Sequence, residues 1–75
     1  MSISDIMIHI EQVLSTEARS SLEERVRQID GVIAPRFNPG KEHLMLVAFD
    51  PDQTGPADLL GAVKASGYAA QLVGV

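Results

Sequence analysis

ISDIMIHIEQVLSTEARSSLEERVRQIDGV, residues 3–32, reads as a strand, a short loop, an amphipathic helix and a stop. Ile6, Ile8 and Ile10 alternate with Asp5, Met7, His9 and Glu11, a period of two that gives the strand one apolar face. Ala18, Leu22, Val26 and Ile29 then recur at helical spacing, with Glu17, Arg19, Glu23, Glu24, Arg25, Arg27 and Gln28 on the other side. Ser15 or Thr16 caps the first helical turn, where Glu17 meets the positive end of the helix dipole. Asp30-Gly31 closes the helix, because glycine accepts the left-handed conformation that a helix terminus often needs. On the polar face, Arg19–Glu23 and Glu23–Arg27 are spaced for i, i+4 ion pairs.

Working outward, Val32 to Asn38 reads as a second strand with Pro35 inside it. Proline has no N–H for a ladder, which predicts a sheet edge or a bulge there. Asn38-Pro39-Gly40-Lys41 is a turn, and Leu44 to Phe49 is an apolar run suited to a central strand. Asp50-Pro51-Asp52-Gln53-Thr54-Gly55 breaks that run. Pro56 opens a second helix with a buried stripe of Leu59, Leu60, Ala62 and Val63, Gly67 ends it, and Tyr68 to Val75 reads as a last short strand. The order strand, helix, strand, strand, helix, strand over 1–75 predicts a single α+β domain. The expected form is a ferredoxin-like βαββαβ sandwich, a four-stranded antiparallel sheet with two helices on one face. In that topology the strand carrying Pro35 lies at an edge.

Composition narrows the chemistry. A chain of 75 residues buries only about 60% of the surface its unfolded form exposes, so nearly every apolar residue is needed for the core. There is no cysteine, which excludes disulfides, thiolate metal ligation, iron–sulfur clusters and thiol catalysis. A net charge of −4 argues against a nucleic-acid partner, and Phe37, Phe49 and Tyr68 are too scattered for a base-stacking platform. No basic leader precedes an apolar run, and no apolar segment approaches the roughly 20 residues of a membrane span. The expectation is a soluble, cytoplasmic protein without membrane insertion. Neither His9 nor His43 has a context that suggests an activated serine, and the carboxylates show no acid–base pairing, so no enzyme is expected. Asp50, Asp52 and Asp58 match no cation-binding loop and read as turn and cap residues. No cofactor is implied.

With these motifs placed, the chain resembles the heavy-metal-associated domain family, which includes copper chaperones and the amino-terminal modules of metal-transporting ATPases. The resemblance rests on the Ile-x-Ile strand, on Ile29-Asp30-Gly31-Val32, on Met45-x-Val47-x-Phe49-Asp50-Pro51, and on Leu59-x-x-x-Val63 running into Gly67-Tyr68. The family carries its metal on a Gly-Met-x-Cys-x-x-Cys loop between the first strand and helix. Counting back from Gly31 puts Ser15 and Ala18 at the two cysteine positions, with Gln12 and Val13 in place of the glycine and methionine. The resemblance therefore implies the family's fold with its thiolate loop lost: a serine hydroxyl stays protonated at neutral pH and alanine offers no donor. Tyr68 resembles the tyrosine near the metal loop of bacterial members, and without a metal it reads as an aromatic at the edge of the core.

Two candidate surfaces remain. Met7 and His9 alternate on the first strand and His43 and Met45 on the third, and the pairs 7/45 and 9/43 share one index sum, as opposed residues on antiparallel strands do. A metal site from Met7, His9, His43 and Met45 is conceivable on that spacing. Strand parity opposes it. Met7 and His9 belong to the open face, whereas the family pattern sends Met45, Val47 and Phe49 toward the helices, so His9 and His43 are expected on opposite faces. The second surface is the open sheet face itself, where Leu44, Leu46 and Ala48 lie beside Met7 and Val73. Contiguous exposed apolar area generally marks an interaction site, for a protein partner or for self-association into a homo-oligomer. The leading expectation is a small non-catalytic binding or regulatory module in a metal-handling or transport setting. The alternatives are metal-ion binding through His, Met or carboxylate ligands, and a small-molecule regulatory domain of the same topology.

Overall fold

A computed structural model describes residues 2–73. The elements are β1 (Ser4–Ile10), α1 (Thr16–Arg27), β2 (Val32–Asn38), β3 (Lys41–Phe49), α2 (Pro56–Ala65) and β4 (Ala70–Leu72). The strands form one four-stranded antiparallel sheet in the order β2-β3-β1-β4, the ferredoxin-like topology. Both helices cover the same face. On that face Ile8 and Ile10 of β1 lie beside Met45, Val47 and Phe49 of β3, and Leu22 and Val26 of α1 with Leu59 and Val63 of α2 close over them. Burying an aliphatic side chain contributes roughly 1.5–3 kcal/mol. This single layer therefore outweighs every surface contact in the molecule.

β2 is an edge strand, and its proline is harmless there. Pro35 is buried opposite Val47, and the register slips between Val32 and Ala34, which leaves Ile33 outside the pairing. Edge and bulge thus occur together. One edge amide is covered by a side chain, since the Phe37 N–H donates to Glu23 Oε2 at 3.0 Å. That contact explains why the expected pairs Arg19–Glu23 and Glu23–Arg27 do not form. Arg19 instead donates to the Leu14 carbonyl at 2.7 Å and to Thr16 Oγ1, while Arg27 pairs with Glu24. Backbone groups that no ladder satisfies are better partners than an exposed opposite charge, whose pairing is worth only about 0–1 kcal/mol.

Two element limits and one buried stripe differ from the sequence reading. β3 starts at Lys41 rather than Leu44, because Pro39 and Gly40 (φ +79°) make a tight turn that pairs Asn38 with Lys41. β4 is only Ala70–Leu72 within the proposed span of Tyr68 to Val75; Gly74 and Val75 lie outside the described residues. In α2, Leu59 and Val63 are buried while Leu60 and Ala62 are half-buried at its flank.

Gly31 joins the end of α1 to the β3–α2 turn. Its carbonyl accepts the Asp50 N–H at 2.7 Å, its φ is +96°, and a Cβ there would fall 2.7 Å from Gln53 Cβ. The Asp50 carboxylate in turn accepts from the Asp52 N–H and from Gln53 Nε2, and Asp58 lies in the first turn of α2. The Asp50 carboxylate thus shapes the turn, and no side chain caps the start of α2. Gly31→Ala therefore combines a strained backbone with a clash and should cost about 3 kcal/mol. Gly40→Ala, with the same sign of φ but open space around it, should cost about 1 kcal/mol. Urea unfolding of both variants beside the parent chain measures the difference.

Candidate functional site

The loop between β1 and α1 occupies the family's metal-binding position, and the side chains of Gln12 and Ser15 there are engaged with backbone amides. The Glu11 N–H donates to the Ala69 carbonyl at 2.9 Å, and the Ala69 N–H donates to Gln12 Oε1 at 3.0 Å, tying the loop to the segment before β4. Leu14 is buried in the core while Val13 stands 85% exposed. Ser15 is the N-cap of α1, and its Oγ accepts the Ala18 N–H at 3.1 Å. The hydroxyl at the first cysteine position is thereby committed to the helix terminus, and the methyl of Ala18 supplies no donor. Arg19 adds a guanidinium that grips the Leu14 carbonyl from the following turn. This donor set does not fit a soft cation: it offers one engaged hydroxyl, no thiolate and a fixed positive charge beside it. The role of Arg19 leaves no trace in the sequence because its partner is a backbone carbonyl, and Leu14 lies outside both the strand and helix periodicities that mark the core.

The four Met and His candidates divide. β1 and β3 pair with an index sum of 53, so Met7 faces Leu46, Ile8 faces Met45 and His9 faces Leu44. The pairs 7/45 and 9/43 are therefore not opposite each other, being one residue out of register. Met45 is fully buried under the helices, while Met7 lies on the open face. The two imidazoles, however, come together: their centroids are 5.8 Å apart with planes 18° from parallel. Alternation alone had separated them. The β2–β3 register breaks between Phe37 and Asn38, so the segment 42–44 leaves regular pairing with β2, and the His43 ring lies against the β1 end with Nδ1 2.8 Å from the Ile10 carbonyl.

On the uncovered face the register sets out rows of neighbours: Ala34, Ala48 and Asp5; then Arg36, Leu46, Met7 and Val73; then Leu44, His9 and Gln71. Leu44, Leu46, Ala48, Met7 and Val73 are all half-buried, an apolar centre flanked by Asp5 and Arg36. On the helical side, shallow polar clefts flank α1, lined by Ser20, Ser21, Glu24 and Arg25, with Tyr68 packed at the edge of the core.

Neither a scan of protein-family models nor a search of curated proteins finds a match to the chain. Solved structures do match. The N-terminal domain of a potential copper-translocating P-type ATPase from Bacillus subtilis, in its Cu(I)-loaded state, superposes with a TM-score of 0.85 at 26% identity, covering 97% of this chain and 90% of that one. Oxidized MerP from Ralstonia metallidurans CH34 gives 0.85 at 14% identity, over 97% of this chain and 100% of that one. A copper-binding domain from HMA7, a P-type ATPase, gives 0.83 at 17% identity over 93% of each chain. The fold is that of a heavy-metal-associated domain. In this heavy-metal-associated fold the cysteine loop has degenerated, since the chain contains no cysteine at all.

Restoring the thiolates tests whether the loop geometry survives. The double substitution Ser15→Cys with Ala18→Cys should gain uptake of one equivalent of Cu(I), seen as thiolate-to-copper absorbance that alkylation abolishes. The parent chain should show no such band under the same conditions.

Proposed function

We propose that this chain is a non-catalytic binding module of the metal-handling type that acts through protein–protein contact across its open sheet face. The observation that carries the reading is the contrast between the molecule's two working surfaces. The loop that holds metal in proteins of this fold is closed on itself by Ser15, Gln12 and Arg19. The uncovered face, in contrast, presents Met7, Leu44, Leu46, Ala48 and Val73 as contiguous half-buried side chains. A small domain gains by covering such a face, because burying apolar area is favourable at about 25 cal/mol per Å².

A second copy of the chain is the occupant that the rim favours. Asp5 and Arg36 give the face one acid and one base around an apolar centre, a pattern that is self-complementary under two-fold symmetry. The metal-handling setting comes from proteins of similar fold, among them a metallochaperone, a copper-binding domain of a P-type ATPase and the N-terminal domain of a potential copper-translocating P-type ATPase. Among the described residues no helix is long and apolar enough to cross a membrane.

Leu44→Glu with Leu46→Glu places two carboxylates at the centre of the face without touching the helix-side core. In sedimentation equilibrium the parent chain should show a concentration-dependent mass above the monomer, and the double variant should remain monomeric. A parent chain that is monomeric throughout, or a variant whose mass is unchanged from the parent's, contradicts the reading.

A further inference from the structure

The chain's two histidines, 34 positions apart in sequence, are brought to the same end of the sheet as the β1–α1 loop. Their Nδ1 atoms have different surroundings. His43 Nδ1 lies 2.8 Å from the Ile10 carbonyl, and a carbonyl only accepts, so Nδ1 carries the proton and the neutral ring keeps its lone pair on Nε2. His9 Nδ1 is buried with no hydrogen-bond partner among the described residues, and Glu11 Oε1 is the nearest counter-group at 4.0 Å. A buried ring nitrogen without a partner is unfavourable. The Glu11 side chain, 63% exposed, is free to close that gap, and a proton on Nδ1 that then donates to its carboxylate leaves Nε2 as the donor atom there too. Metal-bound histidines have this arrangement: the second ring nitrogen donates to a carbonyl or a carboxylate, which fixes the ring and raises its basicity.

The spacing fits one shared ion. Two imidazoles bound to one metal through ring nitrogens at about 2.0–2.1 Å have centroids roughly 4.5–6.5 Å apart, depending on the angle at the metal. The observed 5.8 Å falls inside that range. The planes are nearly parallel, so convergence of the two lone pairs requires a turn about the side-chain torsions. The His9 side chain is 36% exposed and has room to make it. No group of three or more His, Cys, Asp or Glu side chains is placed to hold a metal among the described residues, so water completes the coordination. Met45, sealed in the core, takes no part.

We propose that His9 and His43 form a two-imidazole site for a borderline divalent cation, Cu(II) before Ni(II) or Zn(II), with Glu11 as the positioning residue behind His9. Nitrogen donors without sulfur select these ions over Cu(I), and among them affinity peaks at Cu(II). The site differs in donor type and oxidation state from the thiolate loop, and although His9 borders the docking face beside Leu44, both imidazoles come from one copy of the chain.

The test titrates the full chain with ZnSO4 while the imidazole 15N resonances are observed, and with CuSO4 while bound copper is measured by competition against a chromophoric chelator. Zn(II) should move the Nε2 resonances of His9 and His43 together, with one equivalent bound and both Nδ1 protons retained. His9→Gln and His43→Gln should each weaken Cu(II) binding at least tenfold, with the core methyls of Ile8 and Val47 unshifted as a check on folding. A response from one imidazole alone overturns the proposal. So does a His9→Gln/His43→Gln double variant that takes up Cu(II) as tightly as the parent. Either failure leaves the sedimentation result of the docking reading as it stands.

Discussion

The packing of one sheet face against two helices governs this molecule. Ile8, Ile10, Met45, Val47 and Phe49 meet Leu22, Val26, Leu59 and Val63 in a single layer, and a chain of 75 residues has no apolar side chains to spare for a second. Once that layer is closed, the opposite face of β1 and β3 is left with the alternate residues of the same strands. An apolar run such as Leu44 to Phe49 then necessarily shows half its side chains to the outside. The exposed face is a consequence of how the core is made.

The same constraint accounts for the loop between β1 and α1. Leu14 enters the core and its carbonyl is taken up by Arg19, while Ser15 caps α1 and Gln12 accepts the Ala69 N–H. In proteins of this fold that carry a Cys-x-x-Cys loop, the groups at the corresponding positions are directed to an ion. Here they are directed to the chain itself. The architecture is retained while the loop's chemistry has moved from coordination to capping.

Much of the fold was legible in the sequence, and the exceptions share a cause. Alternation in Ile6, Ile8 and Ile10, the helical stripe of Leu22 and Val26, and Pro35 as an edge marker each report on the main layer, so they led to the right topology. The pairing of β1 with β3 was read one residue out of register. The sequence supports an index sum of 52 from Met7/Met45 as readily as the observed 53, and only contact with the helices decides between them. Alternation separates His9 from His43, and it does not show that their rings meet at the strand ends, where the β2–β3 register break frees residues 42–44. Arg19 and Glu23 were matched to each other because their true partners, a loop carbonyl and an edge amide, leave no trace in side-chain spacing. Side-chain identity revealed the missing thiolates at once. What replaced them required coordinates.

The central claim is that the helix-side face is closed and the sheet face is where this protein meets others. Solvent relaxation enhancement by a soluble gadolinium chelate, recorded on side-chain methyls at low and high protein concentration, tests it most directly. The account predicts that Ile8, Val47, Leu59 and Val63 are protected at both concentrations, whereas Leu44 and Leu46 are strongly enhanced when dilute and become protected as concentration rises. Enhancement of Leu44 and Leu46 that is the same at both concentrations, or protection that develops on α1 and α2 instead, would contradict it.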